Sequence, residues 1–192
     1  MCAARGIDPR ALAGACLRGG ARWLQLRQKT GGSGRFLDLA RGVVSAARAF
    51  DGAVIVNDRA DIARMAGAAG VHVGQDDLSA DDVRRVAGEG LAIGLSTHDT
   101  AQVDAAIAGP AGYVAVGPIY GTSTKNTGYT ARGLDLVRYA AGYGKPVVAI
   151  GGITLDRVDE LVAAGATALA VISDLLATGD PESRVRQYVD RI

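Results

Sequence analysis

The 192-residue sequence predicts an α/β fold: a TIM (β/α)8 barrel lacking its first strand, in a single domain spanning 1–192. Three observations carry that reading. Seven short apolar runs alternate with stretches whose apolar residues recur at helical spacing, the pattern of a parallel sheet wrapped in helices. Polar clusters fall just after those runs, where a barrel builds its active site. No G-x-G-x-x-G or Walker-type loop occurs, which counts against a nucleotide-binding open sheet.

Taken in order, Asp8-Pro9 has the form of a helix start, an N-cap followed by proline at the first helical position. That helix sends Leu12, Ala15 and Cys16 toward the core and ends at Gly19-Gly20. Arg22 to Arg27 reads as a strand and Gln28 to Gly34 as the loop after it; Phe36, Leu39, Ala40, Val43, Val44 and Ala47 then mark a helix. Val54-Ile55-Val56 is a β-branched strand ending in Asn57-Asp58, followed by a short helix with Ile62 and Met65. Val71 to Gly74 is the next strand, and Ser79 with Asp82 opens a helix bearing Val83 and Val86. Leu91 to Leu95 delivers Ser96-Thr97, and Val103, Ala106 and Ile107 mark the helix that follows. Tyr113 to Val116 precedes the Gly117–Gly128 loop, with Leu134, Val137 and Ala141 on the helix beyond. Pro146 to Ile150 delivers Gly151-Gly152, and Thr154 caps a helix with Val158, Leu161 and Val162. Ala168 to Ile172 delivers Ser173, and Asp180-Pro181 opens a final helix with Val185, Tyr188, Val189 and Ile192. A barrel of eight needs a strand ahead of the Asp8 helix, and Met1 to Ile7 does not supply one. Either the chain starts late or the barrel closes imperfectly there.

Composition narrows the function classes. Hydrophobic residues make up 48% and charged residues 21%, a globular balance. The net charge is +1, and no basic stripe with interleaved aromatics appears, which argues against nucleic acid as a partner. No apolar run reaches membrane-spanning length and no leader pattern opens the sequence, so the expected location is cytoplasmic with no membrane partner. Cys2 and Cys16, lacking metal-ligand neighbours, read as free thiols.

The loop from Gly117 to Gly128 carries hydroxyls and Lys125, one of only three lysines against eighteen arginines. Hydroxyls, backbone N–H groups and a compact cation suit phosphate oxygens, although a solvated Ser/Thr-rich loop has the same composition. Gly151-Gly152 and Ser173 follow the last two strands, where barrels bind phosphate; tight turns needing glycine are the alternative. Asp174 beside Ser173 is expected to point away, because a carboxylate facing phosphate repels it. Asp58 and Asp77 end adjacent strands and suit a shared Mg²⁺, the alternatives being an Asp58–Arg59 pair and a helix N-terminal charge at Asp77. Arg27 and Lys29 alternate from a strand end toward the barrel mouth, a setting for an anionic substrate. His72 reads as a packed or supporting histidine, and His98 as a residue near the rim.

The assembled motifs resemble those of the thiamine phosphate synthase (thiamine-phosphate pyrophosphorylase) family. They are Gln25 to Lys29, Val56 to Arg59, Gly70 to Leu78, Gly94 to His98, Gly117 to Lys125, Ala149 to Ile153 and Val171 to Ser173, in the family's order. Gln28 departs from the acid usual in the family, and Gly121 from its common proline. The resemblance implies a transferase that joins hydroxymethylpyrimidine diphosphate to a thiazole phosphate and releases pyrophosphate, with no protein nucleophile. It implies that Gln25, Arg27, Lys29, Asn57, Ser96 and Lys125 hold the pyrimidine diphosphate, with Arg27, Lys29 and Lys125 as the catalytic cations. Asp58 and Asp77 hold Mg²⁺; Thr122, Thr124, Gly152, Ile172 and Ser173 hold the thiazole phosphate. Small-molecule substrates are the expected partners, and a homo-oligomer is left open. Two rivals remain: a thiazole tautomerase or regulatory relative on the same barrel, and a non-catalytic ligand-binding remnant.

Overall fold

A computed structural model describes residues 6–121 and 128–192. Its strands are β1 (Trp23–Leu26), β2 (Ala53–Asn57), β3 (Gly70–Val73), β4 (Ala92–Thr97), β5 (Tyr113–Val116), β6 (Val147–Ile150) and β7 (Ala168–Ala170). The helices are α1 (Pro9–Arg18), α2 (Ser33–Arg48), α3 (Ala60–Ala66), α4 (Ala80–Ala87), α5 (Thr100–Ala108), α6 (Gly133–Ala141), α7 (Val158–Ala163) and α8 (Pro181–Val189). The strands form one parallel sheet in strict chain order. Parallel pairing places the C-terminal end of every strand on the same rim, so the sequence's polar clusters share one edge.

Strand alternation divides the side chains between two environments. Val54, Val56, Val71, Val73 and Ile93 point outward into one buried cluster with α2, α3 and α4. Val114, Val116, Val147 and Ala149 point outward into a second with α5, α6 and α7, and Leu95 packs against both. The sheet curls enough for the Trp23 ring of β1 to meet the Tyr113 ring of β5 edge-on, with centroids 5.5 Å apart. Helices α1 and α8 meet across the gap between β1 and β7, where Arg18 binds Glu182 at 2.8 Å. Gly19 permits that approach, since a Cβ there would lie 2.8 Å from the Cβ of Val185. The result is a TIM-like barrel of seven strands, with no eighth strand among the described residues. Its inner face is open at the two ends of the sheet: Trp23 on β1 is 52% exposed and Ile172, just past β7, is 51% exposed.

Several element ends differ from the sequence reading. Strand β4 includes Ser96 and Thr97, because both pair with β5 opposite Ala115 and Val116. Strand β7 stops at Ala170, the last residue paired with β6, so Val171, Ile172 and Ser173 lie beyond it. Asp8, Ser79 and Asp180 cap their helices as expected, through bonds from the amides of Arg10, Asp82 and Ser183. Thr154 makes no such side-chain bond; a 3₁₀ turn, Leu155–Arg157, leads into α7 instead. Met65, Val86, Val162, Val189 and Ile192 fall on exposed positions. No helix of the described residues is long and apolar enough to cross a membrane.

Candidate active site

The loop after β1 and the end of β2 enclose a cavity of about 190 Å³, lined in part by Lys29, Asn57, Asp58 and Arg59. The Lys29 ammonium donates to Asp58 Oδ2. Asp58 occupies the left-handed region with φ +63°, and its amide donates to the His72 carbonyl at 2.8 Å. That bond ties the Asp58 turn to β3. The Asp58–Arg59 pair considered from sequence does not form: Arg59 Nε donates instead to Asp61 at 2.8 Å. The same bond holds the Asp61 carboxyl below its ordinary range and raises the Arg59 guanidinium. Arg59 is thereby drawn off Asp58, leaving that carboxylate to Lys29.

Beyond β3, Asp77 Oδ2 accepts the Gly74 amide at 2.8 Å, so Asp77 closes its own turn rather than capping α4. Gln75 reaches sideways, its Nε2 donating to the Ser96 carbonyl at 2.6 Å. Asp58 and Asp77 supply hard carboxylate oxygens, and the Lys29 ammonium shows that Asp58 accepts a cation. Among the described residues no three or more His, Cys, Asp or Glu side chains gather into a metal site. A pair of carboxylates whose remaining ligands are water and phosphate oxygens fits Mg²⁺ in kind.

Inside the barrel, Asn57, His72, Gly94 and Tyr113 occupy one lateral row across β2 to β5. Gly94 has no side chain, so the Tyr113 ring crosses it and reaches His72. Tyr113 Oη lies 3.0 Å from His72 Nδ1, and His72 Nε2 lies 2.8 Å from Ser96 Oγ. The three side chains are buried, and burial pushes the Tyr113 phenol above its ordinary value. His72 therefore supports Ser96, as its strand-interior position implied, while Tyr113 is a further member that sequence reading took for packing alone. The sequence offered only an aromatic at the start of one apolar run and a glycine inside another; their pairing comes from strand register.

At the far side, Gly151 and Gly152 adopt φ +88° and +69°, conformations that favour glycine. A Cβ on Gly152 would also approach the Gly121 carbonyl to 2.7 Å. Asp174 does turn away from the rim: Arg184 donates from Nε to its Oδ2 at 2.9 Å and from Nη2 to its Oδ1 at 3.1 Å, and Tyr188 donates to Oδ2. His98 is buried at the end of β4, with Nδ1 against the Gly117 carbonyl and its ring stacked on Tyr129 at 3.9 Å. Lys29, Asn57 and Asp58 thus share one cavity, and Ser96 lies two residues beyond the inner row on β4, joined to it through His72. Gln25 stands exposed on β1 with Arg27 just past it, and Ile172 stands exposed beyond the end of β7. Thr122, Thr124 and Lys125 lie outside the described residues.

The fold and rim define a TIM-like α/β barrel whose polar and charged side chains gather at the C-terminal ends of its strands, where such barrels carry their active sites. A family model described as "Thiamine monophosphate synthase" matches residues 4–175, and the chain belongs to that family of thiamine-biosynthesis transferases. A thiamine-phosphate synthase from Anaeromyxobacter dehalogenans is 43% identical over 181 residues, covering 93% of this chain and 80% of that protein. One from Mycolicibacterium smegmatis is 43% identical over 182 residues, covering 89% and 80%. The structure of a thiamine phosphate pyrophosphorylase from Pyrococcus furiosus superposes with TM-score 0.90 at 26% identity, covering 97% of this chain and 90% of that one.

Proposed function

We propose that this chain condenses hydroxymethylpyrimidine diphosphate with a thiazole phosphate, giving thiamine phosphate and pyrophosphate. The carrying observation is the cavity in which Lys29, Asn57 and Asp58 meet, on the same rim as the Gly151-Gly152 turn. In this reading Gln25, Arg27, Lys29, Asn57, Ser96 and Lys125 bind the pyrimidine diphosphate. Thr122, Thr124, Gly152, Ile172 and Ser173 bind the thiazole phosphate. Asp58 and Asp77 hold Mg²⁺, which when bound neutralises charge on the diphosphate oxygens.

The bond that breaks joins the pyrimidine methylene carbon to the diphosphate oxygen, and its electron pair leaves with that oxygen. The bond that forms joins the methylene carbon to the thiazole nitrogen, whose lone pair supplies the electrons. Negative charge therefore grows on the departing oxygen, where Arg27, Lys29 and Lys125 stabilise it. Lys29 can serve this role by exchanging Asp58 for the diphosphate. Ser96, fixed by His72, orients the pyrimidine.

The test is pyrophosphate release from both substrates with Mg²⁺, followed alongside formation of thiamine phosphate. Release requiring both substrates supports the reading. Thiazole isomerisation without diphosphate consumption, or no turnover, refutes it.

A further inference from the structure

The β5 loop meets the β6 turn through more ties than its apolar residues require. The Ile119 amide donates to the Ile150 carbonyl at 2.8 Å, and the Tyr120 amide to the Gly151 carbonyl at 3.1 Å. The Tyr120 hydroxyl donates to Glu160 on α7. The Arg157 guanidinium lies 4.0 Å above the centre of the Tyr120 ring, and its Nη1 donates to the Gly152 carbonyl at 2.7 Å. One arginine thus grips the ring of one segment and the peptide of the other. Gly152 makes the fit possible, since a Cβ there would sit 2.8 Å from the Tyr120 Cβ.

We infer that Arg157, Tyr120 and Glu160 are positioning residues for the thiazole phosphate half of the site. This rests on the function proposed above. Tyr120 stands on the β5 loop beside the Gly151-Gly152 turn, so holding its ring fixes that loop against the Gly152 peptide proposed to bind the thiazole phosphate. The Arg157 bond to the Gly152 carbonyl simultaneously fixes the peptide plane after Gly152. The end of the β5 loop at Tyr120 and the Gly152 peptide, on different βα units, are thereby set at one separation. A cation stacked on an aromatic face and bonded to a carbonyl is a stiff link, because the planar guanidinium loses little freedom on binding. Lysine reproduces the charge without the planar stack.

The residues proposed for the pyrimidine diphosphate among those described, Gln25, Arg27, Lys29, Asn57 and Ser96, make none of these ties. Arg157→Ala should raise KM for the thiazole phosphate about tenfold, the range of one lost ring-cation contact with its hydrogen bond, while KM for the pyrimidine diphosphate stays within about twofold. Arg157→Lys should recover only part of that loss, and Tyr120→Phe, which keeps the stacked ring, should lose less than Arg157→Ala. Amide exchange provides an activity-free readout: in Arg157→Ala, protection should fall in residues 117–121 and 151–153 and be retained in β2 to β4. Equal changes in both KM values, or unchanged exchange at 117–121 and 151–153, would overturn the inference. Wild-type protein that releases no pyrophosphate would overturn the function instead, and the exchange comparison would still decide whether the link exists.

Discussion

Gly94→Ala tests the inner row most directly. A Cβ on Gly94 would lie 2.5 Å from Cε1 of Tyr113 and closer still to the ring's hydroxyl end, well inside contact distance. The ring has little room to retreat, being edge-on to Trp23 at 5.5 Å and hydrogen-bonded to His72. Overpacking of a full core costs about 1–3 kcal/mol, and leaving the Tyr113–His72 pair unsatisfied adds about 1–3 kcal/mol. A combined loss of about 2–6 kcal/mol in a chain of this length lowers Tm by roughly 4–24 °C. Thermal unfolding followed by circular dichroism measures it, and the decisive comparison is a double-mutant cycle with Tyr113→Ala. If the clash is the cause, Gly94→Ala should cost far less once the ring is absent, with a coupling of about 2 kcal/mol or more. Displaced His72 should also release Ser96 and raise KM for the pyrimidine diphosphate. Additive losses in the cycle, or a Gly94→Ala protein as stable as wild type, would refute the reasoning.

Lys125→Ala should cut turnover on the order of 100-fold, by analogy with a lost oxyanion donor, and weaken thiazole phosphate binding far less. An equal loss in both, measured by steady-state kinetics, removes Lys125 from the leaving-group role. Asp174→Ala leaves the partly buried Arg184 guanidinium without its carboxylate and should cost about 3 kcal/mol or somewhat less in urea unfolding, whereas replacing both Asp174 and Arg184 by apolar residues should cost less. Burial is the main cause raising the Tyr113, Tyr120 and Tyr188 phenols above their ordinary value of 10.0. The folded chain therefore keeps protons that the unfolded chain releases, so stability should fall as pH rises through about 10. Urea midpoints between about pH 9 and 11 check this, and Tyr188→Phe should flatten the decline.

The strand–helix alternation was legible because each outward face is almost wholly apolar: Val54, Val56, Val71, Val73, Val114 and Val116 are β-branched and spaced by two. The rim was legible for a topological reason, since parallel strands leave no choice about which end the loops share. Asp58's partner was not. Arg59 adjoins it in sequence, but a residue in the left-handed conformation turns its side chain toward the β1 loop, where Lys29 waits 29 positions earlier. Apolar spacing likewise overcounted the core at Met65, Val86 and Val162, because short helices bury only a narrow stripe. The lateral row Asn57–His72–Gly94–Tyr113 needs strand register, which depends on pairing between segments and not on any one of them.

These hidden contacts share a design that follows from the chemistry. A reaction driven by charge placement gains nothing from a nucleophile and everything from fixed distances between groups on different strands. Backbone pairing fixes the strands, but the groups themselves lie at strand ends, where pairing stops. Here a tyrosine hydroxyl makes the tie each time: Tyr113 to His72 behind Ser96, Tyr120 to Glu160 behind the β5 loop, and Tyr188 to Asp174 beside Ser173. Tyrosine suits the task because its ring buries as core while its single polar tip, about six ångströms from the backbone, demands a partner in one direction. The same property disguises it in sequence, where a ring at core spacing reads as packing. Substituting phenylalanine at all three positions should therefore preserve folding at neutral pH far better than it preserves catalytic turnover, and matched losses of stability and activity would show that the hydroxyl ties act only by holding the fold together.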